Sequence, residues 1–173
     1  MDRLSRPEFW PVIAFSVSAL LLIGAHVFEA MGYDPCLLCL RQREIHWAAL
    51  AVAAAGLIAI WRWPDRRVIS LTNVALAAVF LTSFMVAGYH AGVEYGFWPG
   101  PAACSAVGGG AVSGADILAA LEGPSDAPSC SEAPWSLMGI SMAGFNALIS
   151  LALLGLSVLA VFRIETVTRN AHA

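Results

Sequence analysis

The chain has 173 residues, of which 59% are hydrophobic and 12% charged, with a formal net charge of −3 and a mean hydropathy of +0.74. A soluble domain carries about 25% charged residues, so the composition excludes an ordinary soluble domain and fits one compact polytopic membrane unit, 1–173. All nine basic residues are arginine and none falls between Arg67 and Arg163; the basic face that a nucleic-acid partner needs is therefore missing.

A bilayer-spanning helix needs about 20 mostly apolar residues, and four stretches meet that need in chain order. The first, about 10–28, is interrupted only by His26. It is too long for the apolar region of a signal peptide and three more spans follow, so it is expected to be retained. The short loop 29–44 comes next and carries Cys36, Cys39, Arg41 and Arg43. The second span, about 45–61, and the uncharged third, about 68–89, are joined by Arg62, Arg66 and Arg67. The long loop 90–139 has five acidic residues, no base, Cys104 and Cys130, and a Gly/Ala/Ser-rich run at 106–115. Within it, 113–123 is expected to form a short amphipathic helix, with Ser113 and Asp116 as a capping box. The fourth span, about 140–162, follows Pro134 and Gly139. The expected fold class is thus all-α, an integral membrane four-helix transmembrane bundle with two outer loops.

Seven of the nine arginines (Arg3, Arg6, Arg62, Arg66, Arg67, Arg163 and Arg169) fall on one side of these spans. The positive-inside rule assigns that side, with both termini, to the cytoplasm. The tryptophans at 10, 47, 61, 63, 98 and 135 are expected at span ends, as in an aromatic belt. All four cysteines then lie on the outer side, which in a bacterium is the periplasm, where disulfides persist. Four cysteines allow three pairings, and spacing alone leaves them open.

Three readings of the cysteines compete: structural disulfides, a metal or iron–sulfur site, and redox catalysis. A zinc site usually shows two close ligand pairs, whereas Cys104 and Cys130 stand alone with no neighbouring histidine, so no metal is expected. Redox chemistry gains from "DPCLLCLRQR" (34–43). Asp34 suits an N-cap and Pro35 the first helical position, which places Cys36 in the first turn and Cys39 in the second. Residues three and four apart share a helix face, so Cys36, Cys39 and Arg43 form one stripe. A helix N-terminus and a guanidinium both lower a thiol pKa and raise the thiolate fraction. Polar residues within spans are functional candidates by default. His90 and Glu94 lie at the depth of Cys39, His26 and Glu29 occupy the same layer on the first span, and His46 lies one turn beyond Gln42.

"PCLLCLRQR", then "YHAGVEYGFWPGPAAC" (89–104), the lone Cys130, and "WSLMGISMAGFNAL" (135–148) together resemble the disulfide bond formation protein B family, DsbB. The resemblance runs in order through almost the whole chain. It implies a four-helix bundle of the bacterial inner membrane that reoxidises the periplasmic thiol oxidase DsbA and passes the electrons to a quinone, ubiquinone or menaquinone. It implies further that Cys104, bonded to Cys130, is attacked by reduced DsbA, and that Cys130 then exchanges with a Cys36–Cys39 disulfide. Cys39 would contact the quinone, with Arg43 stabilising its thiolate and His90 close to the ring. Gln42 stands where some members have an acidic residue, and is counted with Cys39, Arg43 and His90 among the quinone-binding positions. DsbA is a strong oxidant, so only an acceptor of higher potential, such as a quinone, can drain it. The alternatives are a vitamin-K-epoxide-reductase-like relay, whose C-x-x-C usually follows its loop cysteines, and a non-catalytic membrane scaffold stapled by disulfides.

Overall fold

The computed structural model describes residues 6–101, 104 and 128–171, the last seven by their backbone alone. Four long helices dominate: α1 (Trp10–Ala30), α2 (Leu37–Arg62), α3 (Arg66–Glu94) and α4 (Met142–Ala171). Four segments are long and apolar enough to cross a membrane: Pro7–Ala30, Leu37–Arg62, Arg66–Glu94 and Met142–Ile164. Pro11 begins α1, where its missing N–H costs nothing. Gly32, at φ 94°, turns the chain out of that helix, with its N–H on the Glu29 carbonyl at 3.0 Å. Asp65 caps α3, its carboxylate accepting the Arg67 N–H at 3.0 Å.

The second span differs from its expected bounds. The helix expected to begin at Pro35 begins at Leu37 and runs unbroken into the span expected from about 45, so the short outer loop shrinks. At 1.5 Å per residue its 26 residues reach roughly 39 Å, against a hydrocarbon core of about 30 Å. The polar residues 41–44 extend the helix without having to sit in lipid. For the same reason α3 continues to Glu94, making His90 and Glu94 helical, and Trp47 lies well inside α2 instead of at its end. Ahead of α4, β1 (Ser136–Leu137) and β2 (Ile140–Ser141) form a minimal antiparallel hairpin. Its two turn residues, Met138 (φ 52°) and Gly139 (φ 79°), both take the left-handed conformation that a two-residue hairpin loop requires. The amphipathic helix expected at 113–123 lies outside the described residues.

Helix α3 packs most extensively on α4, and α2 bridges α1 and α3, while α1 and α4 barely meet. That leaves a seam between the first and last spans. The core uses small residues for close approach: Ala14, Ala49 and Ala53 pack with Leu76, Phe80 and Leu153. Gly56 lies directly against the Thr72 side chain, so α2 and α3 touch there without a Cβ between them. Large apolar side chains such as Leu20, Ile58, Leu71 and Leu159 point outward, as a lipid-facing surface requires. The Ser83 and Ser150 hydroxyls satisfy each other at 2.8 Å between α3 and α4.

Candidate functional site: two cysteine pairs beside a membrane cavity

Cys36, not Asp34, is the N-cap of α2. Its backbone is extended (φ −72°, ψ 171°) and its sulfur accepts the Cys39 N–H at 3.3 Å, the role that a Ser or Asp oxygen usually plays. Cys39 therefore sits in the first turn rather than the second. The two sulfurs lie 2.9 Å apart as free thiols. Cys36 is 5% exposed, and its Sγ also meets His90 Nε2 at 3.5 Å.

The pairing that spacing left open is Cys104 with Cys130, a disulfide with Cα atoms 5.5 Å apart. Cys130 is buried in one apolar cluster with Cys36, Leu38 and Val93, and Cys39 and Cys104 pack against that cluster. Two pairs separated by most of the chain thus share one pocket of structure. The end of α3 brings them together. Trp98 folds back to stack on Tyr89 (6.0 Å, 10°) and donates its indole N–H to the Tyr89 carbonyl at 2.9 Å. The Tyr89 hydroxyl donates to Pro99 O at 3.1 Å. The indole lies over Gly92, where a side chain would collide with it, and Gly100 lies between Val93 and Cys104.

From Cys36 a chain of buried hydrogen bonds runs into the bundle, and the amides of Asn146 and Gln42, as oriented, give it one polarity. The Asn146 amide N–H donates to Gln42 Oε1 at 2.6 Å, and the Gln42 amide N–H donates to His90 Nδ1 at 2.7 Å. Nδ1 being the acceptor, the imidazole proton sits on Nε2 and points at the Cys36 sulfur. At the other end His46 Nε2 donates to Asn146 Oδ1 at 2.8 Å. The Cys36 thiol lies well below its ordinary value of 9.0, at about 4. The hydrogen bond from Cys39 is the largest cause and His90 adds to it, while burial opposes both.

Arg43 is placed differently from the expected stripe. Its guanidinium, 14% exposed, donates to Glu29 Oε2 at 2.5 Å and to the Ala25 carbonyl at 3.0 Å, both on α1. Arg41 pairs with the exposed Glu44, at 2.8 Å. His26 and Glu29, at the same layer, approach within 3.4 Å. Glu94, its side chain 2% exposed, accepts from the Ser141 hydroxyl at the start of α4 and lies 3.8 Å from His90 Nε2.

A cavity of about 380 Å³ opens beside this cluster, walled by α1 from Leu20 to Phe28, by Trp135, and by α4 from Met142 to Ile149. Its polar lining includes Cys39, Gln42, Arg43, His46, His90 and Asn146. It occupies the seam between α1 and α4, so its outer wall faces lipid. The sequence-predicted residues Cys36, Cys39, Gln42, Arg43 and His90 converge here, with the Cys104–Cys130 disulfide behind them. Asn146 was missed by sequence reasoning, although an amide in an otherwise apolar span is a visible signal. The Cys36, Cys39 and His90 donor atoms lie within 4.8 Å of one another, one ligand short of a closed four-coordinate zinc site.

No curated protein and no solved structure matches the chain. The family model described as "Disulfide bond formation protein DsbB" matches residues 7–160. With four membrane-crossing helices and a match over most of its length, the chain belongs to the DsbB family of membrane disulfide oxidoreductases.

Proposed function

We propose that this protein reoxidises a soluble DsbA-like thiol oxidase and delivers the electrons to a membrane quinone. The observation that supports this most is the packing of both cysteine pairs in one cluster beside a cavity lined by membrane-crossing helices. A soluble dithiol and a bilayer-borne acceptor reach a membrane protein from different directions. Two adjacent pairs can exchange between them by thiolate attack on disulfide sulfur.

The partner's thiolate attacks Cys104, forming a mixed disulfide and releasing Cys130. Cys130 attacks Cys36 of the oxidised C-x-x-C and releases Cys39; the partner's second thiol then displaces Cys104, which attacks Cys130 of the Cys130–Cys36 disulfide, restoring Cys104–Cys130 and freeing Cys36. The described redox state, with Cys104–Cys130 bonded and Cys36 and Cys39 free, corresponds to the stage after exchange. Cys36 and Cys39 would close to a disulfide as they give up two electrons and two protons, which a quinone held in the cavity would accept. The cavity fits such a group: its wall is largely apolar, Cys39 lines it, and Arg43, held in place by Glu29, lies at its edge. Gln42 does not titrate, and acts instead by orienting His90.

The arginines at 62, 66 and 67 lie at the end of the bundle opposite the cysteines, which supports cytoplasmic termini and periplasmic thiols in a bacterial inner membrane. The test is quinone reduction by the purified protein given reduced DsbA-like partner. Cys39→Ser is expected to abolish it, and an unchanged rate would sink the redox reading of the C-x-x-C.

A further inference from the structure

We infer that Asn146 is a hydrogen-bond donor to the ring oxygen that a quinone turns toward the membrane interior, and that His46 positions it. The inference rests on the quinone reading above and adds a second polar pole to the same cavity. Along α2, Cys39, Gln42, Arg43 and His46 follow at i, i+3, i+4 and i+7, which keeps them on one face. Seven residues of helix rise roughly 10.5 Å, room for a ring with an oxygen at each end between the sulfur level and the His46 level. The outer end has Cys39 and Arg43; the inner end has His46 on α2 and Asn146 on α4, both lining the cavity.

The hydrogen bonds at that inner end leave one donor aimed at nothing else. Asn146 Oδ1 accepts from His46 Nε2 at 2.8 Å and from the Ser150 hydroxyl at 3.3 Å. Both oxygen lone pairs are thereby engaged. Of the two amide hydrogens, one goes to Gln42 Oε1 at 2.6 Å. The other has no partner among the described residues, on a side chain only 9% exposed beside an apolar cavity. His46, 3% exposed, is held from behind by Ser18 at 3.4 Å. Buried amides and imidazoles inside a span are costly unless every group is used. A carbonyl oxygen is the acceptor that completes the set, and both oxygens of a quinone must be held while the dithiol supplies two electrons and two protons.

The experiment uses the full-length oxidised protein in nanodiscs and a short-tailed quinone with ¹³C at its carbonyls. Binding is read from quenching of Trp135, and the two carbonyl stretches from isotope-edited infrared difference spectra. In the wild type the carbonyls are expected to be inequivalent, one lowered by the Asn146 N–H. Asn146→Leu should weaken binding about tenfold, the loss of one hydrogen bond, and return that band to the unbonded position. His46→Phe should broaden and partly reverse the shift, and His46→Gln, which keeps a donor for Oδ1, should restore it. This pair decides the matter if Asn146→Leu does not fold. If the wild type binds the quinone while the variants leave both bands and the affinity unchanged, the inner pole is wrong and the quinone reading stands. If the wild type shows neither quenching nor bound carbonyl bands, both fall.

Discussion

Replacing His90 with Phe probes the link between the buried polar chain and the reactive sulfur. The imidazole N–H reaches Cys36 Sγ at 3.5 Å, and hydrogen bonds to a charged acceptor contribute about 1.5–3 kcal/mol. At that separation the lower end applies, about 1.5 kcal/mol, which is about one pH unit at 1.36 kcal/mol per unit. His90→Phe should therefore raise the Cys36 titration midpoint by about one unit and leave it still below the ordinary range, because Cys39, the larger cause, remains. The sign carries over to stability. A group whose folded pKa is depressed stabilises the fold in full above its unfolded value, here 9.0, and loses that contribution as pH falls toward about 4. Reduced wild type should thus lose stability on acidification across that window, and reduced His90→Phe should lose less. The assay is a pH titration of ultraviolet thiolate absorbance with the C-x-x-C reduced and Cys104–Cys130 kept oxidised, paired with thermal melts. A wild-type midpoint in the ordinary thiol range, or a midpoint unmoved by the substitution, refutes the reasoning.

Arg43→Ala removes the guanidinium from both Glu29 and the Ala25 carbonyl. Its steady-state signature should be a raised KM for quinone with little change in the rate of mixed-disulfide formation at Cys104. Equal loss of both would mean that α1 has simply come away from α2. Gly92→Ala drives a Cβ into the Trp98 indole; such overpacking costs about 1–3 kcal/mol, so the melting temperature should fall by several degrees and partner exchange should slow. Gly88→Ala, one turn earlier with nothing within 4 Å of a new Cβ, should be neutral or slightly stabilising, as Ala usually is in a helix.

Much of this architecture was legible in the chain. Charge-free runs gave four spans, and the two clustered thiols with their downstream arginine marked the site. What sequence misjudged were boundaries where polar residues continue a helix. Arg41, Gln42, Arg43 and Glu44 fall outside the expected span because they do not suit lipid, yet the helix that starts ahead of them continues through them into the span without a break. The N-cap shifted from Asp34 to Cys36 for a related reason: a sulfur that accepts the Cys39 N–H does the work of a carboxylate. No local rule could place Asn146 beside Gln42, 104 positions earlier, or Cys130 against Cys36, because those contacts exist only once α4 closes on α3. The His90 position was within reach of sequence, but the direction of its proton was not.

That direction changes which groups hold the negative charge. The motif suggests an arginine beside a thiolate, but Arg43 spends its charge on Glu29, and a paired guanidinium projects little field onto a sulfur one turn away. The neutral donors do more. From His46 through Asn146, Gln42 and His90, every hydrogen bond points the same way and ends on Cys36, so each bond polarises the next toward the sulfur. The Cys39 N–H at the helix start donates to the same sulfur. A site built from dipoles holds an anion without placing a free positive charge in the membrane, where an unpaired one would be expensive. It also separates the two jobs of the motif. In the proposed relay Cys36, buried against Cys130, is the sulfur that would exchange with the loop pair, and Cys39, which lines the cavity, is the one that would meet the acceptor. An asymmetric dithiol of this kind lets electrons enter on one sulfur and leave from the other.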